Sequence, residues 1–448
     1  MVLNRKLGSV LSREFRRPDI DRARELAYEV FSAVIRRGEY SNLLLPRRLT
    51  ESALDSRDKS FITELVYGSI RQIGRNDHIA GKFSVKPWRE VDEGIVDIVR
   101  IGAYQLFDMR VPTHAAVDST VNLARRCLGE SKGSYVNAIM RKLASMTLEE
   151  HLSEVSDDSI ASLAIRYSHP EWIVNSYRDL ISDKNELKSL LEANNRPVPP
   201  TLVAWPGRST RDELVNLGAV PTNYSEYGAT YSGAPSELEP IRERRAGVQD
   251  EGSQILAVIF SEVAREKEPW LDLCAGPGGK AALLSSLAKG DFYANEISDI
   301  RADLIRRVVK PGTHISIGDG REINLKVGSI IADVPCTGLG ALRRRPEVRW
   351  RRSISDLAKL TSMQYQLAEH AIEILPSGGI FAYATCSPHI AETSAQCAAF
   401  ERKLQVERID VTPFMPKNLE NGTRNGFMQL WPHRHNTDAM FLALYKKR

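Results

Sequence analysis

Two cysteines stand directly after short apolar runs, in motifs that could do covalent chemistry. Cys336 lies in Asp333-Val-Pro-Cys-Thr-Gly338, after the run Ser329-Ile-Ile-Ala. Cys386 lies in Thr385-Cys-Ser-Pro388, after the run Gly379-Ile-Phe-Ala-Tyr-Ala. Both runs are typical of buried strands in an α/β sheet, whose ligand crevice lies outside the carboxyl ends of the strands. The pattern therefore predicts two thiols beside one bound ligand.

A glycine-rich turn follows another apolar run, Trp270-Leu-Asp-Leu. The turn itself is Cys274-Ala275-Gly276-Pro277-Gly278-Gly279-Lys280. Glycines let the backbone approach a ligand closely, and the free amides of the helix that follows favour an anionic group. Glu296 comes twenty positions after Gly276, at the end of a second short strand, where a ribose diol could bind. The pattern predicts a cofactor that contains a nucleoside.

Other interpretations of the turn compete with this one. The spacing Gly276-x-Gly278-x-x-Ala281 formally fits the dinucleotide fingerprint of nicotinamide and flavin enzymes. Taken alone, the turn could also be a strand-to-helix connection that binds no ligand. The cysteine motifs downstream disfavour both alternatives. A P-loop is rejected, because it needs Gly where Cys274 stands and Ser or Thr where Ala281 stands.

The three motifs together resemble those of the S-adenosylmethionine-dependent RNA cytosine-5 methyltransferases. Nearly the whole chain is similar to the bacterial small-subunit ribosomal RNA group known as Fmu, Sun or RsmB. The resemblance implies a class I Rossmann-like methyltransferase domain with Cys386 as the nucleophile and Cys336 as the residue that assists product release. A thiolate is needed because C5 of cytosine is a poor nucleophile until a sulfur has added to C6. DNA cytosine methyltransferases use their Pro-Cys cysteine as nucleophile and lack the Thr-Cys-Ser partner, so both motifs together favour RNA.

The resemblance also assigns the remaining site residues. It places residues 274–280 around the methionine end of S-adenosylmethionine, Glu296 on the ribose and Asp319 on the adenine edge. Asp333 is placed beside both the cofactor and the target base, where its carboxyl group could hydrogen-bond to the ring. Many relatives have Ala at position 276, Ala at 334 and Ser at 337, and these departures leave the mechanism intact. No metal is expected, because His433 and His435 have no Cys or Asp cluster with ligand spacing nearby.

Length and composition predict a soluble multidomain protein. The chain has 448 residues, of which 42% are hydrophobic, and no apolar run reaches the roughly 18 residues that a membrane span needs. The N-terminus lacks a secretory pattern, and the five cysteines are an odd number. These features predict a reducing cytoplasm.

Four segments are expected along the chain. Residues 1–20 form a polar lead, and residues 21–147 show helical periodicity that resembles a NusB-like RNA-binding domain. Residues 148–240, including one long helix from Trp172 to Ala193, predict a small α+β linker domain beside the RNA groove. Residues 241–448 form the α/β catalytic domain.

A basic stretch follows the Pro-Cys motif and is predicted to bind RNA phosphates, with an aromatic residue that could stack on an unpaired nucleotide. Its six arginines stand against a single acidic residue, Glu347, whereas the whole chain has a net charge of only +4. The predicted RNA-binding residues are Arg343, Arg344, Arg345, Arg349, Trp350, Arg351 and Arg352.

The sequence thus predicts a monomeric methyltransferase that acts on 16S ribosomal RNA, naked or in a partly assembled small subunit. A transfer RNA methyltransferase of the same family is an alternative, which the NusB-like region disfavours. A non-catalytic NusB-like RNA-binding assembly factor is a second alternative, which the two cysteine motifs disfavour.

Overall fold

The computed structural model describes residues 21–156 and 158–448. The predicted lead, residues 1–20, lies outside the described residues. The chain divides into two compact units, with the division between Val155 and Ser156. The described part contains no helix that is both long enough and apolar enough to cross a membrane.

The first unit is all-helical, as predicted. Its helices are α1 (Arg22–Arg36), α2 (Ser41–Glu51), α3 (Ser56–Arg71), α4 (Ile73–Gly81), α5 (Glu93–Phe107), α6 (Thr113–Leu128), α7 (Glu130–Leu143) and α8 (Leu148–His151). Helix α1 begins where the Asp21 side chain accepts a hydrogen bond from Arg24 N over 3.0 Å. It buries Ala27, Val30 and Val34 on one face, in agreement with the helical periodicity predicted for residues 21–147.

The second unit begins with three helices and a small sheet. The elements are α9 (Ile160–Arg166), α10 (Glu171–Arg178), α11 (Lys184–Asn195), β1 (Thr201–Ala204), α12 (Arg211–Asn216), β2 (Val220–Pro221), β3 (Gly228–Thr230), α13 (Glu239–Arg242) and β4 (Ala246–Val248). The antiparallel sheet has the order β2-β3-β1-β4. The helix predicted from Trp172 to Ala193 is in fact two helices, because Asp183 caps a new one by accepting from Glu186 N over 2.7 Å.

The rest of the second unit is a large mixed sheet with helices on both faces. Its strands are β5 (Trp270–Asp272), β6 (Phe292–Glu296), β7 (His314–Ile317), β8 (Ser329–Asp333), β9 (Ile380–Thr385), β10 (Val406–Ile409), β11 (Thr423–Arg424), β12 (Phe427–Gln429) and β13 (Phe441–Lys447). Its helices are α14 (Glu251–Val263), α15 (Gly279–Leu287), α16 (Asp299–Val308), α17 (Val348–Arg351), α18 (Asp356–Ile374), α19 (Ser394–Lys403) and α20 (Pro432–His435).

The strand order is β11-β12-β13-β9-β8-β5-β6-β7, and β10 also pairs with β13. Strands β9, β8, β5, β6 and β7 are mutually parallel, whereas β13 runs antiparallel to β9. The predicted multidomain arrangement, with a helical first part and an α/β second part, is confirmed.

Successive side chains on the central strands point to opposite faces of the sheet, which explains why helices cover both faces. On β8, Ile330 and Ala332 pack into one core cluster and Ile331 packs into the other. Helices α14 and α15 contribute to the second cluster, and α18 and α19 to the first. Each fully buried Ile, Leu or Phe stabilises the fold by about 1.5–3 kcal/mol. The carboxyl ends of the parallel strands are thereby fixed along one edge.

Candidate active site

Cys336 and Cys386 lie side by side where β8 and β9 end. Their Sγ atoms are 3.4 Å apart, although 50 positions separate them in the sequence. The two strands are adjacent and parallel, with Asp333 opposite Ala384, so both cysteine motifs leave the sheet at the same edge. Both thiols are reduced and partly exposed. A ligand in this crevice can therefore contact either sulfur.

The surroundings of the two thiols differ in charge. The hydrogen bond with Cys336 lowers the pKa of Cys386. Burial and the negative charge of Asp333 oppose this shift, and the positive charges of Lys280 and Arg345 support it. The pKa of Cys336 is raised well above its ordinary value by the hydrogen bond with Cys386, by burial, by the charge of Cys386 and, to a smaller extent, by the negative charge of Glu392. Cys386 is therefore the thiol that ionises first, and the thiolate is the nucleophilic form.

Lys280 connects the glycine-rich turn to the cysteines. It is the second residue of α15, and its Nζ donates to Asp333 Oδ2 over 2.6 Å. Burial disfavours the ammonium form, but the charge and the hydrogen bond of Asp333 outweigh it, so the pKa of Lys280 is raised. The positive charge of Lys280 thus acts on Cys386 from the end of the turn.

The turn itself depends on two glycines. Gly278 has a φ of +108°, and an added Cβ would lie 3.2 Å from the Cα of Ile305. At Gly276 an added Cβ would lie 2.1 Å from Glu296 Oε2. Burial raises the pKa of Cys274, the first residue of the turn, well above its ordinary value. Cys274 therefore lines the turn as a neutral thiol.

Glu296 and Asp319 lie near the turn, and each is held by an arginine. Gly276 N donates to Glu296 Oε2 over 3.0 Å, and Arg301 lies 2.5 Å from Glu296 Oε1. Arg321 Nε donates to Asp319 Oδ1 over 2.9 Å, and its hydrogen bonds lower the pKa of Asp319. The arginine side chains are 49% and 41% exposed. A nucleoside that binds both carboxylates would replace these exposed arginine contacts.

Two acidic residues of the site were not assigned from the sequence. Asp272 ends β5, is 1% exposed, and neither of its carboxylate oxygens makes a hydrogen bond to the described residues. Burial raises its pKa to about 7, and the negative charge of Asp333 acts in the same direction. The sequence feature that could have identified Asp272 is its position as an acidic residue inside an apolar run. The second is Glu392, which follows the Thr-Cys-Ser motif in a short helical turn and is fully buried.

The basic stretch after the Pro-Cys motif is partly structural. Arg349 is 0% exposed, and its Nη1 donates to Asn195 Oδ1 over 2.7 Å. Arg343 is 3% exposed and donates to Asn436 Oδ1 over 2.8 Å. These two guanidinium groups are buried, because partners elsewhere in the fold satisfy them.

The other members of the stretch lie nearer the surface. Arg344 is half-buried and pairs with the buried Asp438, to which its Nε donates over 3.0 Å. Arg345, Trp350 and Arg351 are also half-buried, and Arg352 is exposed. RNA binding by the solvent-accessible members of the stretch stays a prediction.

The two histidines near the C-terminus both contact protein groups. His433 Nε2 lies 2.9 Å from Glu186 Oε1, and His435 Nδ1 accepts from Trp431 N over 2.8 Å. Among the residues that the structure describes, no group of three or more His, Cys, Asp or Glu side chains is arranged to hold a metal ion.

Family models match both units of the chain. A model described as 16S rRNA methyltransferase RsmB/F matches residues 261–446, and the NusB family model matches residues 21–145. A putative methyltransferase of Mycobacterium tuberculosis is 38% identical over 97% of this chain and 99% of its own length. A probable ribosomal RNA small subunit methyltransferase B of Synechocystis is 29% identical over 95% of this chain and 99% of its own length.

Solved structures share the fold. The crystal structure of PH0851 covers 96% of this chain and 100% of its own, with a TM-score of 0.78 at 18% identity. NSun6 from Pyrococcus horikoshii covers 62% of this chain and 98% of its own, with a TM-score of 0.54 at 16% identity.

Proposed function

The chain belongs to the RsmB/F family of 16S rRNA methyltransferases and carries a NusB domain, and we propose that it methylates C5 of a cytosine in 16S rRNA through a covalent cysteine adduct. Family membership confirms the resemblance drawn from the three sequence motifs. The observation that carries the proposed chemistry is the 3.4 Å separation of Cys336 Sγ and Cys386 Sγ at the carboxyl ends of β8 and β9.

The glycine-rich turn and its neighbours fit S-adenosylmethionine as the methyl donor. The turn packs closely on its neighbours, because a Cβ at Gly276 would lie 2.1 Å from Glu296 Oε2 and one at Gly278 would lie 2.8 Å from the Val308 side chain. Glu296 and Asp319 offer carboxylates near the same turn for the ribose and the adenine edge. When bound, S-adenosylmethionine supplies an electrophilic methyl group. Asp333 and Lys280 would lie between this cofactor and the thiols, where their ion pair holds both side chains in place.

The two cysteines have different roles in the proposed covalent reaction. The Cys386 thiolate forms a bond to C6, and the electron pair of the C5–C6 double bond makes C5 nucleophilic towards the methyl group. Once C5 carries the methyl group, it loses its proton to a base, the double bond re-forms and Cys386 leaves as a thiolate. We assign to Cys336 the assistance of this elimination, because it is the second thiol next to the adduct.

Ribosomal RNA of the small subunit is the proposed substrate. The relatives in Synechocystis and Vibrio vulnificus carry the name ribosomal RNA small subunit methyltransferase B, and the NusB match supports an RNA partner. The target cytosine must leave its stack to reach Cys386, which costs a few kcal/mol and costs least in an unpaired region. We therefore propose naked or partly assembled small-subunit RNA as the substrate of a monomeric enzyme. Two thiols this close must stay reduced, which fits the cytoplasm.

The test is methyl transfer from labelled S-adenosylmethionine to deproteinised 16S rRNA, followed by mapping of the modified base. We expect Cys386→Ser to lose transfer, and Cys336→Ser to accumulate a protein–RNA adduct that survives denaturation. Cys127→Ser is the matched control, because Cys127 is an exposed cysteine of the first unit, and this variant should behave as wild type.

Other outcomes separate the alternatives. Labelling of transfer RNA in place of 16S rRNA would refute the substrate and keep the chemistry. An adduct in Cys386→Ser instead of Cys336→Ser would exchange the two roles. Binding of S-adenosylmethionine and RNA by the wild type without any methyl transfer would favour the non-catalytic assembly factor.

A further inference from the structure

A fully buried carboxylate lies behind the two cysteines. Glu392 is 0% exposed, and its Oε1 accepts hydrogen bonds from Thr337 N over 2.8 Å and from Gln364 Nε2 over 3.0 Å. Its Oε2 accepts from the hydroxyl group of Thr337. All three donors are neutral, so they satisfy the carboxylate without cancelling its charge.

Glu392 ties together the residues that directly follow the two cysteines. Thr337 follows Cys336, Ser387 follows Cys386, and the hydroxyl oxygens of Thr337 and Ser387 are 3.0 Å apart. Because Thr337 is bound to Glu392 through both its amide and its hydroxyl group, the Pro-Cys turn is fixed against the end of β9. This contact sets where Cys336 stands relative to Cys386.

Neighbouring side chains hold Glu392 itself. The hydroxyl group of Tyr383, on β9, donates to the main-chain oxygen of Glu392 over 2.8 Å. Gln364, on α18, donates from the same Nε2 to the main-chain oxygen of Pro335 over 2.9 Å. The carboxylate is therefore anchored from the sheet and from the helix that covers it.

The charged groups around the thiol pair affect the two sulfurs differently. The charged groups that act on the two sulfurs are Lys280 from α15, Asp333 from β8, Arg344 and Arg345 from the loop after the Pro-Cys motif, and Glu392. Lys280 and Arg345 favour a negative charge on Cys386, whereas Asp333 disfavours one. Glu392 disfavours one on Cys336.

We propose that Glu392 is a positioning residue that fixes the Pro-Cys turn and helps to keep Cys336 protonated, so that Cys386 becomes the thiolate. The proposal rests on the proposed function, which gives Cys386 and Cys336 different tasks. A fixed negative charge beside Cys336 disfavours a second one on its sulfur, so Cys336 keeps its proton and donates its S–H to the Cys386 thiolate. One buried residue thus holds the Pro-Cys turn in place and adds to the charges that favour ionisation of Cys386 before Cys336.

The Glu392→Gln variant tests the charge while keeping the shape. A glutamine can accept from Thr337 N and Gln364 at Oε1, and it can donate from Nε2 to the Thr337 hydroxyl oxygen. The readout is the pH dependence of iodoacetamide alkylation at each cysteine, followed by mass spectrometry on the full chain without RNA. In the wild type we expect Cys386 to react at lower pH than Cys336. In Glu392→Gln we expect the two pH midpoints to converge by about one unit.

Two substitutions at Thr337 separate charge from geometry. Thr337→Val removes the hydroxyl group and leaves Glu392 charged, so we expect slower methyl transfer with the same order of alkylation. Thr337→Ser keeps the hydroxyl group and should match the wild type in both measurements.

Unchanged midpoints in a folded Glu392→Gln variant would overturn the proposal. Faster alkylation of Cys336 than of Cys386 at low pH in the wild type would also overturn it, even if the variant does not fold. Failure of the proposed function is distinguishable, because a wild type that transfers no methyl group to RNA still yields the two alkylation midpoints.

Discussion

Arg349 Nη1 donates a hydrogen bond to the main-chain oxygen of Ser168 over 3.0 Å, across 181 positions of sequence. The same guanidinium group donates to Asn195 Oδ1 over 2.7 Å and, through Nη2, to the main-chain oxygen of Asn194 over 3.1 Å. The start of the second unit is therefore fastened to the segment that follows the Pro-Cys motif. A buried charge in this position stabilises packing within the unit.

Arg349→Ala should destabilise the second unit. Any effect of this substitution on RNA binding should follow from the loss of stability. Three hydrogen bonds from a charged donor are lost, and we expect the free energy of unfolding to fall by at least about 3 kcal/mol. Calorimetric melting of the full chain measures this loss. Arg352→Ala is the matched control: Arg352 is exposed, so its stability should change by less than about 0.5 kcal/mol. RNA binding of Arg352→Ala should weaken and become less dependent on salt. Normal melting of Arg349→Ala with lost RNA binding would contradict the structural role.

Lys280→Met should make Cys386 harder to ionise. The ammonium group favours a negative charge on Cys386, so its removal should raise the pH midpoint of Cys386 alkylation by about one unit. Methyl transfer should shift to higher pH in parallel. Lys289→Met, at an exposed position just beyond the end of α15, serves as the control. An unchanged Cys386 midpoint in Lys280→Met would show that Lys280 has no electrostatic role.

Asp272→Asn should change how stability depends on pH. Because the folded chain holds the Asp272 proton up to about pH 7, while an unfolded Asp releases it near pH 3.9, the folded state binds more protons in this window. The free energy of unfolding contributed by this group therefore falls as pH rises towards 7 and levels off above it. We expect Asp272→Asn to gain more than about 1 kcal/mol relative to wild type between pH 5 and pH 8. Urea unfolding at both pH values, with the exposed Asp303→Asn as control, measures the difference.

Arg301→Ala should tighten the binding of S-adenosylmethionine. Arg301 pairs with Oε1 of the buried Glu296 from the exposed side, and a pair with an exposed arginine contributes up to about 1 kcal/mol. Removing this competitor should improve the affinity for S-adenosylmethionine by at most about fivefold. The gain should shrink at high salt, and titration calorimetry measures both effects. Glu296→Gln should weaken binding. A tenfold loss of affinity in Arg301→Ala would instead make Arg301 a ligand of the cofactor.

The sequence predicted the parts of the site that depend on strand ends. Cys336 and Cys386 each follow a short apolar run, and parallel strands bring such positions to one edge. Glu392 was not predicted, because no periodicity marks a residue in a short helical turn. The burial of Arg349 was not predicted either, since its partners Ser168 and Asn195 lie far away in the sequence and local composition carries no information about them.

Strand β13 has a consequence for the biosynthesis of the active site. It pairs with β9 along six residues, from Phe441 opposite Thr385 to Lys446 opposite Ile380. The strand that presents Cys386 therefore lacks its neighbour until residues 441–447 have emerged from the ribosome. The sheet around Cys386 is therefore complete only after these residues have emerged and have folded onto β9, so methylating activity begins no earlier than that step.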